Sequence, residues 1–206
     1  MNILLVHGLG RTPYSMKALG RFLEHQDHTP HYFGYAAFAE PYEQIVIRLQ
    51  QRIQVIISQS SQPYAIVAHS LGGLLSRSAL ADRAIAAPHA LIMLGTPNQS
   101  PQAARWAWQL WPFQWFAQTC GQNLATPSFF EILPFPHFPY RIIAGTGGWR
   151  GAVSPFKGEL NDGLVTLPET LIKPHDKPVT LPVFHTFMMN DGATQETVAR
   201  FLTETL

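Results

Sequence analysis

A serine at a tight turn is the first feature of the sequence that could carry chemistry. Residues 68–73 read AHSLGG, and they follow a short apolar run that begins at Tyr64 and precede a helical pattern. A sharp strand-to-helix turn needs small residues two positions before and two after its serine, and Ala68 and Gly72 meet that need. The turn would expose the Ser70 hydroxyl at a helix N-terminus, where backbone N–H groups stabilise a developing anion. The pattern therefore predicts that Ser70 is a nucleophile.

A second glycine-containing turn could supply the hydrogen-bond donors that stabilise the anion formed when that nucleophile attacks a carbonyl group. Residues 7–10 read HGLG and directly follow the first apolar run of the chain. Stabilisation of an oxyanion requires two converging backbone N–H donors, and glycines on both sides of Leu9 allow close approach to a substrate. We therefore predict an oxyanion hole formed by the N–H groups of Leu9 and Leu71.

Four segments that span most of the chain follow one another in the order HGLG at 7–10, AHSLGG at 68–73, LGTP at 94–97 and NDGLV at 161–165. With these segments the chain resembles the α/β-hydrolases of the small lipase and esterase type. It is also similar to bacterial lipase-like proteins related to glycosylphosphatidylinositol deacylases. Ala68 departs from the more usual glycine, which is a modest steric change. The resemblance implies an α/β-hydrolase fold.

The same resemblance implies a catalytic acid at Asp162 and a catalytic histidine at His185. The expected order in this fold is serine, acid, histidine, which these residues follow. Three histidines lie late enough to act as the general base, and His185 is preferred to His137 and His175 because it follows an apolar strand pattern. Asp176 competes with Asp162, although its lysine neighbours are typical of an exposed turn.

The elements that must position these residues alternate between apolar runs and helical patterns. This alternation predicts a mainly parallel central sheet with helices on both faces. Strands are predicted at 3–6, 31–33, 64–68, 90–94, 141–144 and 179–183, and helices at 15–25, 40–60, 71–80 and 193–206. Asp191 is expected to cap the last helix. Ligand sites in such sheets lie beyond the carboxyl ends of the strands.

Residues 98–139 interrupt the alternation with an aromatic-rich, proline-rich segment. We predict an insertion with one or two short helices that could form a lid. Its tryptophans, Trp106, Trp108, Trp111 and Trp115, are candidate substrate-binding residues for a long acyl chain or for contact with a membrane or micelle surface. The alternative is that these rings only pack the insertion onto the sheet.

Composition limits the remaining possibilities. The chain has 206 residues, which predicts a single domain over 1–206. Fourteen basic and thirteen acidic side chains give a net charge of +1, which argues against a nucleic-acid partner. The single cysteine, Cys120, excludes an internal disulfide and is expected to be buried. No transmembrane run or signal pattern is present, so a cytoplasmic location is expected, with no metal or cofactor.

The sequence thus predicts a serine hydrolase that cleaves carboxylic esters, of lipid-like acyl groups in particular, through an acyl-enzyme intermediate. Its expected partner is a small-molecule ester or lipid, with transient contact to a membrane or micelle surface. A thioesterase or an acyltransferase would use the same three residues. A lipid-binding or protein-binding module without catalytic activity is the alternative from a different class.

Overall fold

The computed structural model describes residues 1–151 and 154–204, and its centre is a six-stranded, wholly parallel sheet. The strand order is β2-β1-β3-β4-β5-β6. The strands are β1 (Asn2–Val6), β2 (Thr29–Phe33), β3 (Tyr64–His69), β4 (Leu91–Leu94), β5 (Tyr140–Gly145) and β6 (Val179–Leu181). This arrangement confirms the predicted α/β architecture.

Helices connect the strands. They are α1 (Lys17–Glu24), α2 (Tyr42–Gln59), α3 (Leu71–Ala79), α4 (Gln102–Ala107), α5 (Trp111–Ala125), α6 (Pro127–Ile132) and α7 (Gly192–Glu204). Short 3-10 helices occur at Pro13–Met16, Pro168–Thr170 and His185–Asn190. Within residues 1–151 and 154–204, no helix is long and apolar enough to cross a membrane.

The central strands are buried on both faces, which explains their continuous apolar runs. Alternate residues of β1, such as Leu4 and Val6, pack under α2 and α3, whereas Ile3 and Leu5 pack under α1 and α7. Helix α2 is amphipathic, because the residues it buries recur every three to four positions; they are Tyr42, Ile45, Leu49, Ile53 and Ile56. Helices therefore cover both faces of the sheet, as predicted.

The strand order places a topological switch point between β1 and β3. From β1 the chain moves outward to β2, and then crosses back to β3 on the other side of β1. The loop after β1 and the turn after β3 therefore diverge from adjacent strand ends, where Val6 pairs with Ala68. A crevice at this point is the usual ligand site of open α/β sheets. The Leu9 loop and Ser70 both lie there.

Two differences from the sequence expectation have a physical reason. The insertion holds three helices rather than one or two, and α5 is itself kinked at Gln118, whose φ of 41° and ψ of −134° are not helical. Pro112 and Pro127 lie in the first turns of α5 and α6, where the missing N–H costs nothing, so each favours a new helix start. Strand β6 ends at Leu181 instead of 183, because Pro182 has no N–H to donate to a neighbouring strand. Helix α7 is described to Glu204, so predicted helical residues 205 and 206 lie outside the described residues. Asp191 caps this helix by accepting the Thr194 N–H at 2.8 Å, as expected.

Candidate active site

Ser70 occupies a strained turn between β3 and α3. Its φ of 54° and ψ of −124° lie in a region that residues with a Cβ rarely adopt. Such strain costs on the order of 1–3 kcal/mol and persists only where the surroundings hold it. Here the Ser70 N–H donates to the Leu94 carbonyl at 2.9 Å, and the Ser70 carbonyl accepts from Gly73 N–H and the Thr96 hydroxyl. The turn is thus held from both sides.

Close backbone approach explains the small residues around Ser70. A Cβ added to Gly72 would lie 2.6 Å from the carbonyl oxygens of both Val6 and His7, in the neighbouring strand and its loop. Ala68 is fully buried. Helix α3 can therefore start directly beneath the β1 loop only because position 72 has no side chain.

Replacing Gly72 with alanine should lower the free energy of unfolding by about 2–4 kcal/mol, because two backbone carbonyls cannot yield to the new methyl group. Gly192→Ala is the matched control: a Cβ there meets nothing within 4 Å, so this change should be neutral or stabilise by up to about 1 kcal/mol. Denaturant titration of both variants measures the difference. Equal stabilities would contradict the proposed steric role of Gly72.

The two backbone donors predicted for an oxyanion hole flank the same crevice. Leu9 lines the cavity beside Ser70. Leu71 follows Ser70 as the first residue of α3, so its N–H has no acceptor within the helix. The helix N-terminus adds a partial positive charge at this point. The arrangement can stabilise negative charge next to the Ser70 hydroxyl.

Asp162 and His185 form a buried hydrogen-bonding contact. The Nδ1 of His185 lies 2.7 Å from Oδ2 of Asp162, and the two side chains are 8% and 1% exposed. The second carboxylate oxygen, Oδ1, accepts the N–H groups of Leu164 at 3.0 Å and Val165 at 2.7 Å. The backbone N–H of His185 also donates to the backbone carbonyl of Asp162 at 2.8 Å. An imidazole held in this way on Nδ1 has Nε2 available to accept a proton.

Gly95, in the LGTP segment, makes room for this pair. A Cβ at Gly95 would lie 3.0 Å from Oδ2 of Asp162 and 3.1 Å from Nδ1 of His185. Its φ of 55° also favours glycine. Sequence reasoning matched the segment to a family but assigned Gly95 no role. Its place directly after β4 was the available signal, since loops that follow parallel strands meet at one edge of the sheet.

His69 is a second residue whose role sequence reasoning missed. It is buried, and its Nε2 donates to the His185 carbonyl at 3.0 Å, with the two ring centroids 4.7 Å apart. Its Nδ1 has no hydrogen-bond partner among the described residues. Burial, followed by the charge of the neighbouring His185, holds the pKa of His69 well below its usual range. His69 is thus a neutral residue that supports the backbone of His185.

The lowered pKa of His69 predicts a loss of stability in acid. Below about pH 6.5 the unfolded chain binds a proton at this position and the folded protein does not, so the free energy of unfolding falls as pH falls. The loss is at most about 1.4 kcal/mol per pH unit for this one group. In His69→Gln, where an amide N–H can still donate to the carbonyl, stability should fall less between pH 7 and pH 5. Denaturant unfolding at both pH values tests this, and parallel losses in the two proteins would contradict it.

The alternative candidates lie at the other edge of the sheet. His175 and Asp176 line a groove of about 520 Å³ beside the start of β5, and His137 lines another groove just before that strand. Ser70 instead follows the carboxyl end of β3, which is parallel to β5. Neither groove contains Ser70, Asp162 or His185 among its described lining residues. The larger groove is therefore not the site where the predicted residues meet.

The cavity beside Ser70 has a volume of about 200 Å³ and a mostly apolar lining. The residues that line it are Leu9, Arg11, His69, Ser70, Pro97, Pro101, Ala103, Ala104, Ala107, Phe113, Leu124, Leu164, Val165, His185 and Thr186. Several of these come from α4 and α5, so the insertion forms one wall of the cavity. An apolar wall in the same cavity as Ser70 and His185 can hold an acyl chain.

The four tryptophans are not among the described residues that line the cavity, and the insertion contributes Ala104, Ala107, Phe113 and Leu124 to the lining instead. Trp111 and Trp115 are 76% and 75% exposed, and Trp106 is also exposed. Trp108 packs edge-on against Phe113, with ring centroids 6.4 Å apart. Because the exposed side chains of α5 point outward, the smaller residues of α4 and the inner face of α5 form the wall. The tryptophans therefore do not meet Ser70 in this structure.

Comparisons with known structures agree with the architecture. The mature lipase BlEst2 from Bacillus licheniformis is 18% identical, with a TM-score of 0.78 over 98% of this chain and 91% of that one. The thioesterase RedJ from the prodiginine pathway of Streptomyces coelicolor is 14% identical, with a TM-score of 0.61 over 100% and 90% of the two chains. The phospholipase PlaB from Legionella pneumophila is 16% identical, with a TM-score of 0.64 over 84% of this chain but only 46% of that one.

At these identities the structural likeness concerns the fold alone. No curated protein matches the chain in sequence. A sequence model of the alpha/beta hydrolase family, however, matches residues 3–204, which is nearly the whole chain. With the parallel sheet and the turn at its switch point, this match identifies the chain as a member of the alpha/beta hydrolase family.

Proposed function

We propose that the protein is a serine hydrolase that cleaves carboxylic ester bonds of lipid-like acyl esters, with Ser70, His185 and Asp162 as its catalytic residues. One observation carries the proposal: the ring of His185, held 2.7 Å from the buried Asp162 carboxylate, lines the same cavity as Ser70, which sits in a strained turn. Strain of this kind is characteristic of functional positions, because it stabilises nothing by itself.

The chemistry follows from the position of each group. The Ser70 Oγ attacks the ester carbonyl carbon while Nε2 of His185 takes the hydroxyl proton. The carboxylate of Asp162 keeps the remaining ring proton on Nδ1 and stabilises the imidazolium. The N–H groups of Leu9 and Leu71 bind the oxyanion. His185 then gives its proton to the leaving alcohol, and water, activated by the same ring, releases the acyl group from Ser70.

The apolar wall supports an acyl chain as the preferred substrate part. Burying a chain of methylene groups against Ala104, Phe113 and Leu124 contributes roughly 0.8 kcal/mol per group. The exposed apolar side chains of α5 and the turn before it lie outside that wall; they are Leu110, Trp111, Trp115 and Phe116. An exposed aromatic face of this kind suits transient contact with a membrane or micelle surface. The likeness to a lipase and to a phospholipase supports the same substrate class.

Hydrolysis of p-nitrophenyl esters from acetate to palmitate tests the proposal, together with intact-mass analysis after exposure to an alkyl fluorophosphonate. We expect turnover that peaks at medium or long acyl chains, and addition of one phosphonate group at Ser70. A peak at acetate would support an esterase but would contradict the proposal that the apolar wall binds a long acyl chain. Labelling of a residue other than Ser70 would overturn the assignment of the nucleophile.

A thioesterase is the second candidate, favoured by the likeness to RedJ. The same three side chains would split a thioester, because only the leaving group differs. Matched oxygen and sulfur esters of one acyl chain distinguish the two: a higher kcat/KM for the thioester than its intrinsic reactivity explains would favour the thioesterase. Absence of turnover on both series, without Ser70 labelling, would favour a binding module.

A further inference from the structure

Arg11 is a charged residue in the cavity that the proposed chemistry does not use. It follows the HGLG turn, lines the cavity together with Ser70 and His185, and is partly exposed. Its Nη2 donates a long hydrogen bond of 3.4 Å to the Thr186 carbonyl, in the residue that follows His185. One of the five guanidinium donors is therefore engaged, which leaves others for a ligand.

The charge of Arg11 has no carboxylate partner among the described residues. In that part of the chain, the carboxylates that contact a basic side chain are Glu40 with Arg48, Glu204 with Arg200 and Asp162 with His185. The carboxylate of Asp162 is already occupied by His185 and two backbone N–H groups. Arg11 is thus the one permanently charged side chain of the described cavity lining, which is otherwise mostly apolar. A cation in such surroundings attracts an anion more strongly than it would in water.

The contact with Thr186 places Arg11 on the leaving-group side of the cavity. His185 must hand its proton to the leaving oxygen, so the alcohol part of an ester lies next to His185 and Thr186. The acyl part would then lie along the apolar wall that the insertion contributes, which includes Ala104 and Phe113. A guanidinium on the alcohol side fits a phosphate group, whose oxygens it can bind through two parallel N–H donors.

We propose that Arg11 binds an anionic phosphate carried by the alcohol part of the substrate, a few bonds from the ester that Ser70 attacks. The preferred substrates are therefore acyl esters of a phosphorylated polyol rather than neutral esters. This assignment rests on the proposed function for its catalytic consequence, because the leaving-group side is defined by the role of His185. The binding of the anion itself requires only the cavity and the guanidinium.

Matched substrates test the proposal: 1-hexanoylglycerol 3-phosphate and 1-hexanoylglycerol, which share an acyl chain short enough to stay monomeric. The kcat/KM ratio of the phosphorylated to the neutral ester is measured for the wild type, Arg11→Gln, Arg11→Lys and Arg83→Gln. Arg83 is the matched control, since it is an exposed arginine beyond the far end of α3. We expect the ratio to fall roughly 10- to 100-fold in Arg11→Gln, less in Arg11→Lys and not at all in Arg83→Gln.

Three results would overturn the proposal. Equal losses for both esters in Arg11→Gln would make Arg11 a positioning residue that supports the backbone at Thr186. A wild-type enzyme without preference for the phosphorylated ester would show that Arg11 does not form a phosphate-binding site. A third result would be an Arg11-dependent preference for the p-nitrophenyl monoester of adipic acid over p-nitrophenyl hexanoate, which would place the anion on the acyl side.

A binding measurement separates this proposal from the proposed function. The ether 1-O-hexylglycerol 3-phosphate cannot be hydrolysed, and calorimetry gives its Kd for the wild type and for Arg11→Gln. Weaker binding to Arg11→Gln by roughly 10-fold or more, without ester turnover by the wild type, would refute the hydrolase and retain the anion site. Ester turnover that depends on Ser70, with equal Kd values for the two proteins, would retain the hydrolase and refute the anion site.

Discussion

Replacing Ser70 with alanine is expected to lower kcat for ester hydrolysis by roughly 10⁴- to 10⁶-fold, because the attacking oxygen is lost. The change removes only the hydroxyl oxygen, and Ser70 is the only serine among the described residues that line the cavity. Residual activity would come from the backbone donors and from substrate binding. Steady-state kinetics on the preferred p-nitrophenyl ester measures the loss.

Two further serine variants make this result interpretable. Ser58→Ala removes a hydroxyl from the exposed face of α2, where it donates to the Val55 carbonyl at 2.9 Å, and should keep wild-type activity. Ser70→Gly should be inactive but more stable than Ser70→Ala, by about 1 kcal/mol, because glycine adopts a φ of 54° without strain. Wild-type turnover in Ser70→Ala would refute the assignment of Ser70 as the nucleophile. Equal free energies of unfolding for the two Ser70 variants would refute the claim that the backbone at position 70 is strained.

Asp162→Asn is expected to lower kcat by about 10³- to 10⁴-fold while the protein remains folded. All three partners of the carboxylate are donors: the N–H groups of Leu164 and Val165 on Oδ1, and Nδ1 of His185 on Oδ2. Asparagine has a single oxygen, which the two backbone donors retain. Its NH₂ group then faces His185 and requires an acceptor there, so the ring proton moves to Nε2. That tautomer cannot take the proton of Ser70.

Asp176→Asn is the matched control for this change. Asp176 also accepts several hydrogen bonds, from the Tyr140 hydroxyl and from the N–H groups of Ile172 and Lys173, but it lies at the opposite edge of the sheet. Its replacement should reduce stability and leave kcat near the wild-type value. The reverse outcome, an inactive Asp176→Asn beside an active Asp162→Asn, would transfer the role of the acid to Asp176.

The two catalytic predictions and the Arg11 proposal concern different parts of one cavity. Ser70 is presented by a turn at the end of β3, and Asp162 and His185 come from loops that follow β5 and β6. Arg11 comes from the loop that follows β1. Since parallel strands end at the same edge, four loops distant in the chain converge there. We therefore expect that substitutions at Ser70 abolish turnover of every ester, whereas substitutions at Arg11 change only the preference for a phosphorylated ester.

Local patterns were sufficient to predict the architecture and the turn at Ser70. Strands buried on both faces require unbroken apolar runs, so β1, β3 and β4 are visible in the sequence as such. The turn is equally local, because its steric demands fall on residues within two positions of Ser70. The parallel sheet with helices on both faces and the family resemblance are confirmed. The roles of Ser70, Asp162 and His185 remain proposals that the kinetics must test.

Other features depend on contacts between distant segments, which periodicity does not record. Asp162 meets His185, and His69 meets the His185 carbonyl, only because loops from separate strands end at one edge. The aromatic insertion is the clearest case: its composition suggested that tryptophans face the substrate, but the orientation of α4 and α5 places smaller residues at the wall. A helix exposes or buries a given side chain according to how it docks. The sequence therefore determined the sheet and the serine turn, whereas the tertiary structure alone decided which side chains meet in the cavity.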